Sequence, residues 1–511
     1  MICIWASTSK RRLQDNLFIL NECKEAAYKG KKKLYVIAID YCKAYDSVKR
    51  EKIIETLIDY KIDHRIIDNI ANIYQDDQTL VKIREDLQME FDITNGIRQG
   101  CNLSPTLFKI LTYKIMECIE NKCAGFKLGN LKINSIFYAD DSLILAENKY
   151  DAEKTIECLR DESEKYGLKI NHSKSNIIIF NDKDEIKETE ISGIKVEGKI
   201  KYLGVLIDGK RNMFDSQKKE MFIKAKRMEN MTYGIIERSC NRVMIGKTYW
   251  KDVVLPSILH GAEVIDLTKE EINKLQIIEN NIYRKILRAP SYTPLVTLRG
   301  EIGSSEMITR VIKTKLLYWK SIFQRKNELL KEIALQPECK MVKKVTDYAE
   351  KIGVTKHEIR MESEKWLKGK IRDYDNARWK EEIENKTSLY IYRQYRDEIK
   401  ERFYFNNKAD MLLFRMRTNT LNLNDRNRFK GENISCVMCG AEKEDIVHFV
   451  VECCKLQEYR NGILKLQHPQ EENSLELVGE VLFGDISYQR ELLEMWVERR
   501  NRVERASSQI L

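Results

Sequence analysis

The sequence predicts an α+β protein, with a mixed or antiparallel sheet backed by helices first and helices filling most of the rest. Three observations support this. Residues 34–39 read Leu-Tyr-Val-Ile-Ala-Ile, a continuous apolar run with the length of a buried strand. Residues 137–141 read Phe-Tyr-Ala-Asp-Asp between apolar, strand-like flanks, as at the tip of a hairpin. From about residue 215 to about residue 430 the apolar spacing is almost wholly helical.

The elements before the hairpin can be read in order. They are a helix, the buried strand, a long helical stretch and two short strands, at residues 15–28, 34–39, 53–73, 81–83 and 91–93. A glycine-punctuated loop over residues 96–105 then leads into a helix, with Ser104 predicted as its N-cap and Pro105 at its first position.

The elements after the hairpin lead to a helical second half. A helix over residues 151–166 should stop at Gly167, because glycine is the usual residue just past a helix end. Strands are predicted at residues 177–180 and 202–207. Helices follow to about residue 430, and the chain then becomes rich in cysteine and histidine.

Composition places limits on the class of protein. With 511 residues, 43% of them hydrophobic, the chain should hold about two to four folded domains. Thirteen cysteines, an odd number spread over the whole length, do not resemble a disulfide framework and favour a reducing compartment. No signal-peptide core and no apolar run of about 18 residues occurs. We expect an intracellular protein, in cytoplasm and nucleus, without a membrane partner; the oligomeric state stays open.

The charge of the chain is unevenly distributed. The formal net charge is +10, but residues 1–200 carry −1, residues 201–450 carry +14 and residues 451–511 carry −3. A polyanion held by the middle of the chain would account for this asymmetry. Charged residues that merely solvate many helices would account for it equally well.

Three carboxylates predict a metal site. Asp140 and Asp141 are neighbours beside an apolar sheet, where like charges repel each other unless a cation lies between them. Asp40 ends the buried strand, so it has the same context. An aspartate at a strand end is by itself usually a surface residue, but three such acids at sheet ends suggest two bound metal ions. Asp46, six residues on, is better explained as a helix-capping or solvent-exposed carboxylate.

The pattern Cys436-x2-Cys439-x8-His448-x4-Cys453 predicts one structural zinc ion. It supplies three thiolates and an imidazole within 18 residues, enough for a closed tetrahedral site. Cys454 competes with Cys453 as the fourth ligand, although the spacing favours Cys453. The alternative is a set of buried cysteines around a core histidine.

Arginines and aromatic residues alternate just before the cysteine cluster. Residues 414–417 read Phe-Arg-Met-Arg, and residues 426–429 read Arg-Asn-Arg-Phe. Such segments suit phosphate contacts combined with base stacking. An amphipathic helix with a charged rim would have the same pattern, and the sequence leaves both interpretations open.

Five motifs in order resemble the reverse transcriptase of non-LTR (LINE-type) retrotransposons. They are Ala38-Ile39-Asp40 with the Lys-Ala-Tyr-Asp of residues 43–46, the loop of residues 96–105, the Phe-Tyr-Ala-Asp-Asp of residues 137–141, the Gly-Leu-Lys-Ile-Asn of residues 167–171 with Lys174-Ser175, and Tyr202-Leu203-Gly204. The resemblance extends through His260 to Glu263 and Tyr292 to Pro294 to the cysteine cluster, and is weakest over residues 305–410. A group II intron maturase is the nearest rival, but the helical stretch ending in Cys-Cys-His-Cys is more similar to the retrotransposon type.

The resemblance implies an RNA-directed DNA polymerase that uses an RNA template, a DNA primer or target and deoxynucleoside triphosphates. It implies two Mg²⁺ (or Mn²⁺) ions, with Asp40 and Asp140 bridging them and Asp141 as an accessory ligand. Lys174 is similar to a lysine that could protonate the leaving pyrophosphate, although a solvated surface lysine is nearly as good an explanation.

The resemblance also implies substrate-binding residues. Tyr45 matches a steric gate whose ring excludes a ribose 2′-hydroxyl. Arg98, Gln99 and Gly100 match the loop that packs against the incoming nucleotide and template. The remaining substrate-binding residues are Tyr138 beside the acids, and Tyr202 and Gly204 in the primer grip. Without the other motifs, the loop would be interpreted as an ordinary turn and the grip as a plain strand.

The domain boundaries follow from the resemblance. A partial fingers segment, a right-hand palm with the primer grip, a helical thumb or connector, a helical basic linker and a zinc knuckle with C-terminal helices are expected at residues 1–33, 34–210, 211–330, 331–430 and 431–511.

The chain departs from the family pattern at its start. Residues 10–16 resemble the last fingers segment, where Arg11 or Arg12 is expected to contact template or nucleotide. An N-terminally truncated protein is therefore expected, without an endonuclease and most of the fingers. A catalytically inactive, retrotransposon-derived RNA- or DNA-binding protein that lacks the fingers is the alternative to an active polymerase.

Overall fold

The computed structural model describes residues 12–75, 77–82, 88–138, 141–183, 188–460, 463, 473–484 and 487–508. Contacts within the chain divide it into two units. The first, which we call the sheet unit, takes its described residues from Met1–Glu220, Gly261–Asp266 and Lys315–Met361. The second, the helical unit, takes them from Met221–His260, Leu267–Thr314 and Glu362–Leu511. The predicted α+β class is confirmed by this combination of a sheet and many helices.

The strands are short, and most of them lie in one sheet. Their bounds are β1 Leu34–Ile39, β2 Gln78–Lys82, β3 Gln88–Asp92, β4 Phe126–Leu128, β5 Leu131–Ile133, β6 Ser135–Tyr138, β7 Asp141–Ala146, β8 Asn176–Phe180, β9 Glu190–Ile191, β10 Ile194–Val196, β11 Lys199–Tyr202 and β12 Val205–Asp208. Six strands form a sheet in the order β6-β7-β1-β8-β10-β9, in which only the β8–β10 pair is parallel. The pairs β2–β3, β4–β5 and β11–β12 are separate antiparallel ribbons.

Helices make up most of the remaining chain. The first seven are α1 Leu13–Lys29, α2 Ala44–Ser47, α3 Arg50–Asp59, α4 His64–Tyr74, α5 Ser104–Lys122, α6 Lys149–Lys165 and α7 Asp215–Glu237. The others are α8 Arg242–Tyr249, α9 Leu255–Ile258, α10 Lys269–Leu287, α11 Leu295–Ile302, α12 Met307–Gln324, α13 Glu328–Leu335, α14 Lys340–Lys351, α15 Lys356–Met361, α16 Glu364–Glu384, α17 Tyr390–Tyr395, α18 Lys408–Arg417, α19 Ser474–Phe483 and α20 Gln489–Ser508. Among the described residues, no helix is both long and apolar enough to cross a membrane.

The central strand β1 explains why its sequence is continuously apolar. Its alternate residues Tyr35, Ile37 and Ile39 pack into a core with residues of α5 and α6. Leu34 and Val36, which point to the opposite face, are also fully buried, and α1 contacts β1, β6 and β8. A strand covered on both faces cannot alternate apolar with polar residues.

The core of the helical unit joins its last helices to the cysteine-rich segment. Side chains of α16–α20 pack with Phe449, Val450 and Val451 and with two of the cysteines, Cys436 and Cys453. Trp379 is fully buried there, and its indole N–H donates to the carbonyl of Val296 at 2.8 Å. The twelve described cysteines of the chain are all free thiols.

Two local predictions were wrong. The strand predicted over residues 202–207 is the hairpin β11–β12, because Leu203 (φ +47°) and Gly204 (φ +80°) form a two-residue turn with both central residues left-handed. Ser104 does not cap α5, whose N-cap is Leu103 without a side-chain bond. The Ser104 hydroxyl instead donates to the carbonyl of Arg98 at 2.7 Å and fixes the preceding loop.

Candidate active site and metal centre

Asp40 and Asp141 lie at the same end of the paired strands β1 and β7, and we call this end of the sheet the acidic edge. The antiparallel register pairs Tyr35 with Ala146 and Ile39 with Ser142, so the next step along both strands sets Asp40 opposite Asp141. Side chains at facing positions of an antiparallel pair project to the same face, with Cβ atoms about 4.5–5.5 Å apart. Asp40 is half-buried and Asp141 is exposed. Asp140, the third predicted acid, lies outside the described residues.

The carboxylate of Asp40 is held by Asn171, a residue for which the sequence predicted no role. The side-chain amide of Asn171 donates to Asp40 Oδ2 at 3.3 Å, and the backbone N–H of Asn171 donates to the Asp40 carbonyl at 2.8 Å. The backbone N–H of Asp40 donates to Ser175 Oγ at 3.1 Å. Asn171 and Ser175 therefore orient Asp40, while Lys174 between them is exposed to solvent.

Gly167 allows the Asn171 segment to reach β1. It has φ +87°, and a Cβ atom there would lie 2.3 Å from the carbonyl oxygen of Ser47. Beyond it, the backbone N–H of Cys42 donates to the carbonyl of Lys169 at 2.8 Å. A larger residue at position 167 would push this segment, and with it Asn171, away from Asp40.

The ring of Tyr45 is fixed by stacking. It lies parallel to Phe108 of α5, with ring centroids 4.8 Å apart and an interplanar angle of 12°. The neighbouring Asp46 is exposed and accepts a hydrogen bond from Gln99 Nε2 at 3.2 Å. Gly100 has φ +83°, and no described atom lies within 4 Å of the place where a Cβ atom would be. The loop therefore leaves open space beside Gly100.

Arg98 has a protein partner. Its guanidinium donates to Asp77 Oδ1 at 2.7 Å and to the carbonyl of Ile73, while Arg50 binds the other carboxylate oxygen of Asp77 at 2.6 Å. The hydrogen bonds from Arg98, with those from Arg50, hold the pKa of Asp77 below its usual value. The Arg98 side chain is still about half exposed, so this pair anchors the loop without burying the guanidinium.

Tyr202 connects the acidic edge to the β11–β12 hairpin. Its hydroxyl is buried and accepts a hydrogen bond from Asn16 Nδ2 at 2.8 Å, and the same amide approaches the carbonyl of Phe137 at 3.3 Å. Burial raises the pKa of Tyr202, and the charge of Asp141 raises it further. Tyr138 ends β6 and pairs with Asp141 across the hairpin. Tyr138 and Tyr202 thus both lie near Asp141.

In the segment of residues 10–16, Arg11 or Arg12 was expected to contact substrate. The acid that follows them, Asp15, has a structural role. Asp15 is fully buried, accepts a hydrogen bond from the Tyr318 hydroxyl at 3.0 Å and forms an ion pair with Arg325. These contacts tie α1 to α12 and the residue after it, within the sheet unit. Arg12 is exposed at the N-cap of α1, and Arg11 lies outside the described residues.

The four predicted zinc ligands come together. Their ligand atoms all lie within 4.8 Å of one another, with Cys436 Sγ 3.9 Å from Cys453 Sγ and Cys439 Sγ 3.3 Å from His448 Nε2. Zn–S bonds of about 2.3 Å and Zn–N bonds of about 2.0 Å place tetrahedral ligand atoms roughly 3.5–3.8 Å apart. The cluster can therefore hold one metal ion. Cys454, the competing ligand, is exposed to solvent.

Buried charges fix the cluster to the surrounding helices. Arg460 is buried, and its guanidinium donates to the carbonyls of Val451 and Cys453. Glu444 is fully buried and accepts two hydrogen bonds from Arg499 of α20, at 2.8 and 2.6 Å. Hydrogen bonds with Cys453 and with His448 lower the pKa of Cys436, which favours the thiolate, the form that binds metal.

The arginine and aromatic residues before the cluster are mostly structural. Phe414 is fully buried, and buried Arg417 donates to the carbonyl of Leu482 and lies 3.8 Å from Glu301. For these two residues the structure favours the second interpretation, an amphipathic helix, because both side chains are buried in the unit. Arg426 stacks on Tyr292, with its guanidinium carbon 4.0 Å from the ring centroid.

The sequence was compared with families of known proteins. Residues 6–207 match the family described as reverse transcriptase (RNA-dependent DNA polymerase). These residues form a reverse transcriptase domain. The domain contains Asp40, Tyr45, Arg98 to Gly100, Tyr138, Asp141, Lys174, Tyr202 and Gly204, whereas the cysteine cluster lies beyond it.

Curated relatives of this chain are proteins of transposable elements. The chain is 27% identical over 201 residues to the transposon TX1 149 kDa protein of Xenopus laevis, covering 39% of this chain and 15% of that protein. It is 23% identical over 306 residues to the Pol polyprotein of retrotransposable element R2 from Bradysia coprophila, covering 56% and 33%. The R2DM Pol polyprotein of Drosophila melanogaster is 26% identical over 203 residues, covering 37% and 19%. The chain spans at most a third of the length of these relatives. The similarity to R2 proteins, with the family match, confirms the predicted resemblance to non-LTR retrotransposon reverse transcriptases.

Solved structures give a weaker likeness. Telomerase from Candida tropicalis superposes on this chain with a TM-score of 0.33 and 16% sequence identity, covering 64% of this chain and 56% of that one. The same enzyme in complex with a fragment of telomeric RNA also has a TM-score of 0.33.

Proposed function

We propose that the chain is an RNA-directed DNA polymerase that extends a DNA primer along an RNA template with deoxynucleoside triphosphates. The observation that carries the proposal is the register of β1 with β7, which sets Asp40 opposite Asp141 inside a reverse transcriptase domain. Two carboxylates converging at an exposed sheet edge suit a site for divalent cations and a large polyanionic substrate.

The residues present suit two Mg²⁺ or Mn²⁺ ions. Asp40 and Asp141 offer carboxylate oxygens, the ligands such hard cations prefer, and we assign Asp140 to the same site from the sequence. Bound ions of this kind activate the primer 3′-hydroxyl and neutralise charge on the triphosphate. The hydrogen bond from Asn171 keeps one Asp40 oxygen fixed and leaves the other for a cation.

We assign the surrounding residues to the substrates. Tyr45 limits the space at the sugar 2′ position, because its ring is held by Phe108 and cannot easily turn aside. Gln99 and the open space at Gly100 receive the incoming nucleotide and template, with Arg98 fixing the loop through Asp77. We assign Lys174 as the group that donates a proton to pyrophosphate. The hairpin turn with Tyr202 and Gly204 positions the primer.

We assign domains around this palm. The palm with its primer grip spans residues 34–210, preceded by part of the fingers and followed by the thumb or connector (211–330), a basic linker (331–430) and a zinc knuckle with C-terminal helices (431–511). The four clustered ligands of the knuckle, Cys436, Cys439, His448 and Cys453, suit one structural Zn²⁺ by number, type and spacing.

Primer extension tests the proposal. The purified chain is incubated with an RNA template, an annealed DNA primer, deoxynucleoside triphosphates and Mg²⁺, and products are separated by length. We expect extension that stops on addition of a chelator. A chain that binds primer-template yet never lengthens the primer, in Mg²⁺ or Mn²⁺, would contradict the polymerase assignment and leave a binding protein.

Tyr45→Ala is expected to admit ribonucleotides. Removal of the ring opens space at the 2′ position, so the ratio of kcat/KM for a deoxynucleotide to that for the matching ribonucleotide should fall by at least about tenfold. Single-nucleotide incorporation measures this ratio. Tyr150→Ala, at a tyrosine that is 70% exposed on α6, is the matched control and should leave the ratio unchanged. An unaltered ratio in Tyr45→Ala would contradict the gate role.

Asn171→Ala is expected to lower kcat about 10- to 100-fold and to raise the Mg²⁺ concentration needed for half-maximal activity. The physical reason is the lost hydrogen bond to Asp40 Oδ2, which orients a metal-binding carboxylate. Steady-state extension at increasing Mg²⁺ measures both effects. Asn130→Ala, at an exposed asparagine between β4 and β5, should behave like the unmodified chain. A reduced kcat without any change in Mg²⁺ requirement would argue against this orienting role.

A further inference from the structure

Two cysteines contact each other where helices α5 and α6 pack together in the sheet unit. Cys118 of α5 and Cys158 of α6 are 40 residues apart in the chain, and their sulfur atoms lie 3.7 Å apart. This separation is close to the contact distance of two sulfur atoms that are not bonded, whereas a disulfide bond measures about 2.05 Å. A movement of about 1.65 Å would bring the two sulfur atoms to bonding distance.

The packing of the two helices places both thiols at the rim of their interface. Ile119 and Leu159, the residues that follow the two cysteines, are fully buried in the core that also contains residues of β1. Successive residues of a helix are turned by about 100°, so the neighbour of a buried residue lies at the side of the buried face. Cys118 and Cys158 are accordingly both partly exposed to solvent. A reagent in solution can therefore reach the pair.

Cysteines between helices can also serve only to fill space, as small apolar side chains do. The third cysteine of this region, Cys123, fits that role, because it is only 3% exposed and belongs to the core. Cys118 and Cys158 differ from it, since each is open to solvent and in contact with the other sulfur atom. Apolar side chains of similar size would fill the same space, so packing alone does not account for two facing thiols.

The pair is protonated near neutral pH. Burial raises the pKa of Cys118 to about 11, where the ammonium group of Lys122 opposes the shift and the nearby Cys158 and Glu162 add to it. Burial raises the pKa of Cys158 as well. The thiolate is the form that attacks a disulfide, so exchange at this pair should be slow near neutral pH and faster in alkaline solution.

We propose that Cys118 and Cys158 form a reversible disulfide bond when the chain meets a small-molecule disulfide such as glutathione disulfide. The thiolate of one cysteine attacks a sulfur atom of the reagent and releases one glutathione thiolate. The thiolate of the other cysteine then attacks the protein sulfur of this mixed disulfide and releases the second glutathione. The two cysteines lose two electrons and two protons, and the reagent takes them up as two glutathione thiols.

The bond joins two helices that support the acidic edge from different sides. Helix α5 carries Phe108, on which the ring of Tyr45 stacks, and α6 follows β7, the strand that begins at Asp141. A cross-link between positions 40 residues apart also removes conformational freedom from the unfolded chain. Oxidation should therefore stabilise the sheet unit, so that the redox state of the surroundings sets its stability.

Peptide mapping tests the proposal without any substitution. The full chain is incubated in mildly alkaline buffer with glutathione disulfide and with Zn²⁺, which protects the cysteine cluster, and the remaining thiols are alkylated. Trypsin then separates the three nearby cysteines, Cys118, Cys123 and Cys158, into the peptides 115–122, 123–127 and 155–160. We expect the first and third peptides to be joined, and excess reduced glutathione to separate them. A bond between the second and third peptides, or glutathione on the first without a cross-link, would overturn the proposal.

Thermal melting measures the consequence of the bond. Oxidation should raise the melting temperature of the unmodified chain by about 5–10 °C, and excess reduced glutathione should reverse the rise. Cys118→Ser and Cys158→Ser should each abolish it, whereas Cys240→Ser, at an exposed cysteine between α7 and α8, is the matched control and should retain it. An equal rise in Cys118→Ser and in the unmodified chain would contradict the proposed bond. Neither measurement uses a primer or a nucleotide, so the result does not depend on polymerase activity.

Discussion

Asp40→Asn and Asp141→Asn are each expected to reduce primer extension by about 100- to 1,000-fold. Asparagine keeps the shape of aspartate and removes the charge that binds a divalent cation, and such a cation contributes several kcal/mol to the stabilisation of the transition state. One step beyond the register of β1 with β7, Asp40 stands opposite Asp141, so we expect each to supply its own carboxylate to the site. Rates of single-nucleotide incorporation at saturating primer-template measure the loss.

The control for these variants is Asp161→Asn. Asp161 is exposed on α6, so its replacement removes the same charge from the sheet unit without touching the acidic edge. Both acid variants should melt at nearly the temperature of the unmodified chain and should still bind nucleic acid. Full activity in Asp40→Asn would show that the chemistry takes place at another site.

Removal of zinc, or Cys453→Ser, is expected to destabilise the helical unit strongly. Apparent binding free energies of structural zinc sites are about 10–16 kcal/mol, and the loss of even a few kcal/mol should lower the melting temperature by roughly 10 °C. The effect should spread beyond the ligands, because Cys436 and Cys453 are part of the core formed by α16–α20. Zinc content by elemental analysis, thermal melting and hydrogen exchange of residues 436–456 measure it.

Cys454→Ser provides the matched control for the zinc site. The two cysteines are neighbours in sequence, but Cys454 is exposed and Cys453 is fully buried among the other ligands. Cys454→Ser should therefore retain one zinc ion per chain and the original melting temperature. An equal loss of zinc and of melting temperature in Cys453→Ser and Cys454→Ser would contradict the assignment of the four ligands. A stable chain that contains no zinc would contradict it as well.

The parts of the fold that the sequence predicted depend on local patterns. The apolar run of β1 and the two strands that flank the acidic pair, β6 and β7, were predicted correctly because their apolar patterns are diagnostic by themselves. Cys453 was preferred over Cys454 by spacing, and it is Cys453 that joins the cluster. The turn at Leu203 and Gly204 was missed because leucine rarely adopts a left-handed conformation.

The parts that the sequence did not predict depend on distant contacts. The hydrogen bond from Asn171 to Asp40 joins residues far apart in the chain, and no periodicity points to it. Asp15 pairs with Arg325, which groups residues 315–361 with the first helix. The sequence left the role of Phe414 and Arg417 in α18 open, because their burial depends on α19 and α20, which follow later in the chain. The sequence of a helix shows that it is amphipathic, but which of its side chains are covered by other helices depends on the tertiary structure.

The position of β1 in its sheet has a consequence for the order in which the protein can fold. Ile39 pairs with Ser142 and Leu34 with Phe180, so the central strand has no partner until more than a hundred further residues have left the ribosome. Loops of that length close slowly, and contacts between distant residues delay folding. During synthesis the run Leu-Tyr-Val-Ile-Ala-Ile stays unpaired, apolar and uncharged, which makes it a site for aggregation or chaperone binding. The acidic edge therefore assembles late, only after residue 180 is available to complete the sheet around Asp40.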